Sequence, residues 1–99
     1  MPTIDDIKNA VTSVADIYEI KNVRLFGSYA HGTQTPESDI DLIVRFRKPF
    51  VSLLQLVRLQ NELIDKTGKR VEIIGAPIPK ESLLIIDREV VIYDNKRAG

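Results

Sequence analysis

The stretch from residue 38 to residue 46, read Ser38-Asp39-Ile40-Asp41-Leu42-Ile43-Val44-Arg45-Phe46, constrains the fold most. Side chains of a strand alternate between its two faces. Here Ile40, Leu42 and Val44 fall on one face, and Asp39, Asp41 and Ile43 on the other. A strand with one apolar face needs neighbouring strands and a covering layer. The rest of the chain must supply both.

Two segments read as covering helices. Residues 3–20 place Ile4, Ile7, Val11, Val14 and Tyr18 at spacings of three and four, the helical period. Thr3 and Asp6 form a capping-box pair, and Asp5 and Asp6 suit the positive end of the helix dipole. Residues 51–67 are the longest predicted helix, with Leu53, Leu56, Val57, Leu63 and Ile64 as its apolar stripe and Gly68 as its stop. Lys66, Lys69 and Arg70 are placed to offset the negative end of that helix.

Three more short strands are predicted at 23–26, 70–74 and 90–93. Gly27-Ser28 breaks the first of them and opens a brief helix over 28–31, followed by a turn-rich loop to Glu37. A loop over 75–79 precedes a last short helix over 80–87, since Pro79 suits a first helical turn. The tail from Asn95 is expected to be mobile. Helices and strands alternate throughout, which predicts a layered sheet with helices packed on it; strand order and direction do not follow from the sequence.

With 99 residues and 43% hydrophobic content the chain is expected to be one domain, 1–99, with a single core. Formal net charge is zero, from 14 basic and 14 acidic residues, so strong nucleic-acid binding is not expected. The absence of cysteine excludes disulfides and thiolate metal sites, and the single His31 excludes a multi-histidine zinc site. No apolar run approaches the roughly 18 residues of a membrane span, and no signal-peptide pattern opens the chain. A soluble cytoplasmic protein is expected.

Asp39 and Asp41 carry the chemistry. Two residues apart on a strand, their Cα atoms should lie about 6–7 Å apart with both side chains on one face. They can share a divalent ion, or hold one each in a metal pair about 3.5–4 Å apart. Mg²⁺ takes hard oxygen ligands, commonly one or two carboxylates plus substrate phosphates. Alone, the pair also fits two solvated acids on a polar strand face. Gly27 and Ser28 add a second element. Glycine lets the backbone approach a phosphate, while a serine hydroxyl and free N–H groups at a helix start bind phosphate oxygens.

The combined run Phe26-Gly27-Ser28-Tyr29-Ala30-His31-Gly32 through Asp39-Ile40-Asp41 resembles the signature of the DNA polymerase β-like nucleotidyltransferase superfamily. In length and detail it is similar to the minimal nucleotidyltransferases, found as the antitoxin half of modules whose toxin is a HEPN-domain ribonuclease. The resemblance implies an α+β fold, a small mixed β-sheet with helices packed on it. It implies a third carboxylate on a neighbouring strand, and Glu72 holds that position, where the family usually has Asp. Asp39, Asp41 and Glu72 are then the catalytic and metal-ligating set, with Glu72 as general base, and Gly27 and Ser28 bind the nucleotide. His31 stands where the family commonly has Arg.

The implied activity is metal-dependent transfer of AMP from ATP to a hydroxyl, with Mg²⁺ in a two-metal site and a tyrosine of a partner HEPN toxin as acceptor. Two alternatives stay open: an antitoxin acting by binding alone, and a transferase for a small molecule or an RNA end. Arg45, Arg47 and Lys48 form a basic cluster that fits triphosphate, an acidic partner or a solvated strand end.

Overall fold

The computed structural model describes residues 2–75 and 88–95. The predicted helix over 80–87 and the end of the tail lie outside the described residues. The elements are α1 (Ile4–Val14), β1 (Ile20–Phe26), α2 (Ser28–His31), β2 (Ile40–Phe46), α3 (Leu53–Thr67), β3 (Val71–Gly75) and β4 (Val90–Asp94).

The strands form one mixed sheet in the order β3-β2-β1-β4. β1 runs antiparallel to both β2 and β4, whereas β2 and β3 are parallel. Helix α1 contacts α3 and β4, and α3 contacts β3, so the two long helices lie together on one face. Ile40, Leu42 and Val44 point into that layer and are buried with Val23, Leu25, Val71 and Ile92. This is the α+β architecture that the resemblance implied.

The capping box of α1 is formed: Asp6 N–H donates to Thr3 Oγ1 (3.1 Å) and Thr3 N–H to Asp6 Oδ2 (2.8 Å). The helix closes earlier than the expected residue 20. Ile20 N–H donates to the Ala15 carbonyl (2.9 Å) and Glu19 N–H to Asp16 (3.3 Å), while Glu19 takes φ 54°. That is the hydrogen-bond pattern of a Schellman stop. A glutamate holds the left-handed position, so no glycine marks the end. Ile20 is thereby freed to begin β1, three residues before the expected Val23, and pairs with Phe46.

Helix α3 begins at Leu53, with Ser52 Oγ accepting from Gln55 N–H (3.1 Å). Its buried stripe differs from the expected one. Leu59 (0% exposed) and Leu63 fill the core, with Leu56 and Ile64 half-buried. Leu53 (76%) and Val57 (41%) instead face solvent. Leu56, Leu59 and Leu63 follow the helical period as one line, and Leu53 and Val57 form a second line turned off the sheet. No described helix is long and apolar enough to cross a membrane.

Candidate active site

β2 is a central strand, and Asp41 near its start has a neighbour on either side. Across the antiparallel pair it faces Phe26, the last residue of β1; across the parallel pair it faces Glu72 of β3. Cross-strand partners share a face, so Asp41 and Glu72 stand side by side on the face away from the two long helices. Asp39, two positions before Asp41, immediately precedes β2. Its place is fixed from behind, because Ile40 N–H donates to the Arg70 carbonyl (2.9 Å).

The other two carboxylates act on Asp41. The Asp41 pKa is pushed up to about 6, first by burial, then by a hydrogen bond to and repulsion from Glu72, then by repulsion from Asp39. Ile43, on the same face as Asp41, is itself only 5% exposed, so the strand face beside the acids is apolar. Such a cluster of like charges in reduced dielectric calls for a cation or a proton.

Gly27 follows Phe26 and bends the chain off β1 with φ 75° and ψ −153°. This region is essentially reserved for glycine. A Cβ placed there would overlap the Asp41 carboxylate at Oδ2. The backbone therefore passes directly against the acid. The Gly27 carbonyl accepts from Ala30 (3.1 Å) and His31 (3.2 Å), which starts α2 at Ser28. The first N–H groups of a helix have no intrahelical partner, and here they belong to Ser28 and Tyr29, next to Asp41.

Tyr29 is a residue whose role the sequence reading missed. Its ring is 1% exposed and anchors the one-turn α2 in the core. Burial raises the pKa of its hydroxyl, which has no hydrogen-bond partner among the described residues. The signal was present in the sequence as a large aromatic one position after Ser28. Lys69 was also assigned differently: its Nζ donates to the Pro36 carbonyl and ties the loop before Asp39 to the end of α3, leaving Lys66 in the helix's last turn.

His31 ends α2 at an exposed position. Of the basic cluster, Arg45 lies on β2 four residues beyond Asp41, roughly 13 Å at strand rise. Arg47 is six residues beyond Asp41 along β2, roughly 20 Å at strand rise, and Lys48 pairs with Glu19 (3.3 Å). Neither is placed to reach a phosphate held at Gly27.

The donor set suits a hard cation. Asp39, Asp41 and Glu72 offer carboxylate oxygens only, and the mutual repulsion at Asp41 is what a positive ion would relieve. Among the described residues no three acidic, histidine or cysteine side chains form a ready-made cage for an ion. Mg²⁺ does not require one, because substrate phosphates and water complete its shell.

A mixed sheet carrying acids at the start of its central strand, beside a glycine-serine turn into a helix, defines a nucleotidyl-transferring enzyme. The family model of nucleotidyltransferase domains matches residues 7–96, and the chain belongs to that family. It is 36% identical over 78 residues to a provisionally named protein adenylyltransferase of Methanocaldococcus jannaschii, covering 75% of this chain and 79% of the relative. The protein adenylyltransferase MntA of Thermococcus cleftensis is 28% identical over 96 residues, covering 92% and 96%. Among solved structures, one of a minimal nucleotidyltransferase superposes with a TM-score of 0.72 at 26% identity, covering 90% of this chain and 95% of that one. A toxin–antitoxin crystal structure with AMP-PNP gives 0.74 at 19% identity, covering 91% and 75%. A tri-AMPylated Shewanella oneidensis HEPN toxin in complex with an MNT antitoxin gives 0.69 at 14%, covering 96% and 76%. The last two show the fold.

Proposed function

We propose that the chain acts as a single-domain, cytoplasmic, Mg²⁺-dependent adenylyltransferase that moves AMP from ATP onto a hydroxyl of a partner protein, a tyrosine of a HEPN-type toxin, and so serves as the antitoxin. The observation that carries the reading is the placement of Asp39, Asp41 and Glu72 beside the Gly27–Ser28 turn. Its support among relatives is the adenylyltransferase name of the Thermococcus protein and the AMP-bearing toxin in the Shewanella complex.

In this reading the Ser28 hydroxyl and the first N–H groups of α2 bind phosphate oxygens of ATP. Gly27 keeps the turn free of a side chain so that the triphosphate can lie against Asp41. Asp39, Asp41 and Glu72 would hold Mg²⁺, which when bound supplies charge neutralisation at the triphosphate and the departing pyrophosphate. The acceptor oxygen attacks the α-phosphorus. A new oxygen–phosphorus bond forms as the bond to the pyrophosphate oxygen breaks. Glu72 takes the acceptor's proton, for which its carboxylate must come within about 2.6–3.2 Å of the hydroxyl. Most of the rate enhancement then comes from positioning and charge.

Incubation of the purified chain with Mg²⁺, ATP and a co-expressed HEPN-domain protein tests the proposal. Addition of AMP to the partner, absent with Asp39→Asn, is the expected result. Tight binding with no AMP on either chain would replace transfer by neutralisation through occlusion.

A further inference from the structure

The first turns of α3 form a ridge that the catalytic reading leaves unused. Phe50 (88% exposed), Leu53, Leu54 (61%) and Val57 all point to solvent there. Together they expose on the order of 500 Å², at the large end for a patch on a monomer. A groove of about 450 Å³ runs along one side, floored by Phe46, Val51 and Leu56. A second, of about 330 Å³, runs along the other and is lined in part by Ile17 and Leu54. Gln55 Nε2 donates to the Tyr18 carbonyl (3.2 Å) and fixes the ridge to the α1–β1 turn. The shape is therefore held in place without an occupant.

The charge around the ridge is one-sided in a chain whose formal net charge is zero. The charged residues lining the two grooves are Arg45, Arg47, Lys48 and Arg58 against the one carboxylate of Glu19. Lys48 pairs with Glu19 (3.3 Å) and Glu62 stands with Arg58 at Tyr18, which leaves Arg45 and Arg47 as the net charge of the rim. An apolar ridge with an arginine rim matches an amphipathic helix whose apolar face is bordered by carboxylates. A second copy of this chain fits less well, since like rims would meet across a two-fold axis.

We propose that this ridge docks an acid-bordered amphipathic helix of the protein that receives the nucleotidyl group, an inference that rests on the protein-acceptor reading above. Its distance from the acids, roughly 20 Å from Arg47 back to Asp41 at strand rise, lets the partner be held at one end of β2 while its acceptor segment reaches the other. Docking and chemistry are then separable.

The test uses the full chain, ¹⁵N-labelled, and two synthetic amphipathic helices with the same leucine face, one bordered by glutamates and one by lysines. The glutamate helix is expected to shift the amides of residues 50–58, to bind at least about tenfold tighter than the lysine helix, and to weaken as salt rises. Leu54→Glu and, separately, Val57→Ser should each lower its affinity by about tenfold while the thermal melt is kept, since both side chains are exposed. No binding, equal binding of both helices, or shifts confined to other residues would overturn the proposal. So would sedimentation showing a dimer of this chain that Leu54→Glu dissolves. The ATP- and Mg²⁺-dependent thermal shift, read on the same samples, separates the two claims: its absence in the wild type would strike the nucleotidyl-transfer reading and leave the docking result standing.

Discussion

Asp41 and Glu72 are register partners across the parallel β2/β3 pair, and Glu72, together with burial, pushes the Asp41 pKa up to about 6. The arrangement stores repulsion in the apo fold, because neither Glu72 nor Asp39 favours a charged Asp41.

Stability of the metal-free domain should therefore respond to pH in an unusual direction. With its pKa raised to about 6, folded Asp41 holds a proton that the unfolded chain releases near pH 4. The folded state binds more protons in that window, so stability falls as pH rises from about 4 to about 6. Asp41→Asn should remove this slope. At pH 7 it should raise apo stability by on the order of 1 kcal/mol after solvent screening, and it should abolish AMP transfer. Urea titrations at several pH values, with EDTA present, give the comparison; a variant less stable than the wild type at pH 7 would contradict it.

Mg²⁺ with a nucleotide should reverse that penalty. A cation bound only by the folded state raises the melting temperature by mass action. The rise should shrink strongly in Asp39→Asn and in Asp41→Asn, and chelation should return the wild type to its apo melt. An equal rise in all three proteins would place the ion elsewhere.

Gly27→Ala should be doubly harmful. The residue's φ and ψ lie in a region that costs other residues about 1–3 kcal/mol, and the added methyl meets the Asp41 carboxylate. Loss of stability of that size together with at least a hundredfold loss of transfer is expected, from denaturation and single-turnover assays. Gly68→Ala is the control: φ is 70° at the α3 C-cap, with open space where the methyl would go. It should cost about 1 kcal/mol and leave transfer intact.

Glu72→Gln separates binding from proton transfer. It keeps the shape of the side chain and removes the base, so transfer should fall by about 10²–10⁴-fold while nucleotide affinity changes far less. An equal loss in both would take the base role from Glu72 and leave it only the holding of the metal.

Legibility in the sequence followed the range of each interaction. Asp39 and Asp41 were read from the alternation of a single strand, and the Thr3–Asp6 capping box from one helical turn; both readings are local, the box is formed, and the strand is formed from Ile40, which holds Asp41 but leaves Asp39 just ahead of it. Glu72 entered through family resemblance alone, because its meeting with Asp41 depends on the parallel pairing of two strands that α3 separates in the chain. The end of α1 was misplaced because Glu19, where glycine is usual, takes the left-handed position. The α3 stripe was misread because its first turns are apolar on two faces. Leu59 and Leu63 fill the core, and the surplus face with Leu53 and Val57 became the exposed ridge.

The central claim is tested most directly by intact-mass measurement of this chain and a co-expressed HEPN-domain partner after incubation with Mg²⁺ and α-labelled ATP. The account predicts one or more AMP increments on the partner, mapped to tyrosine, and none with Asp41→Asn. Label on neither chain while the two remain tightly bound would contradict it, and would leave a nucleotidyltransferase fold that silences its partner by covering it.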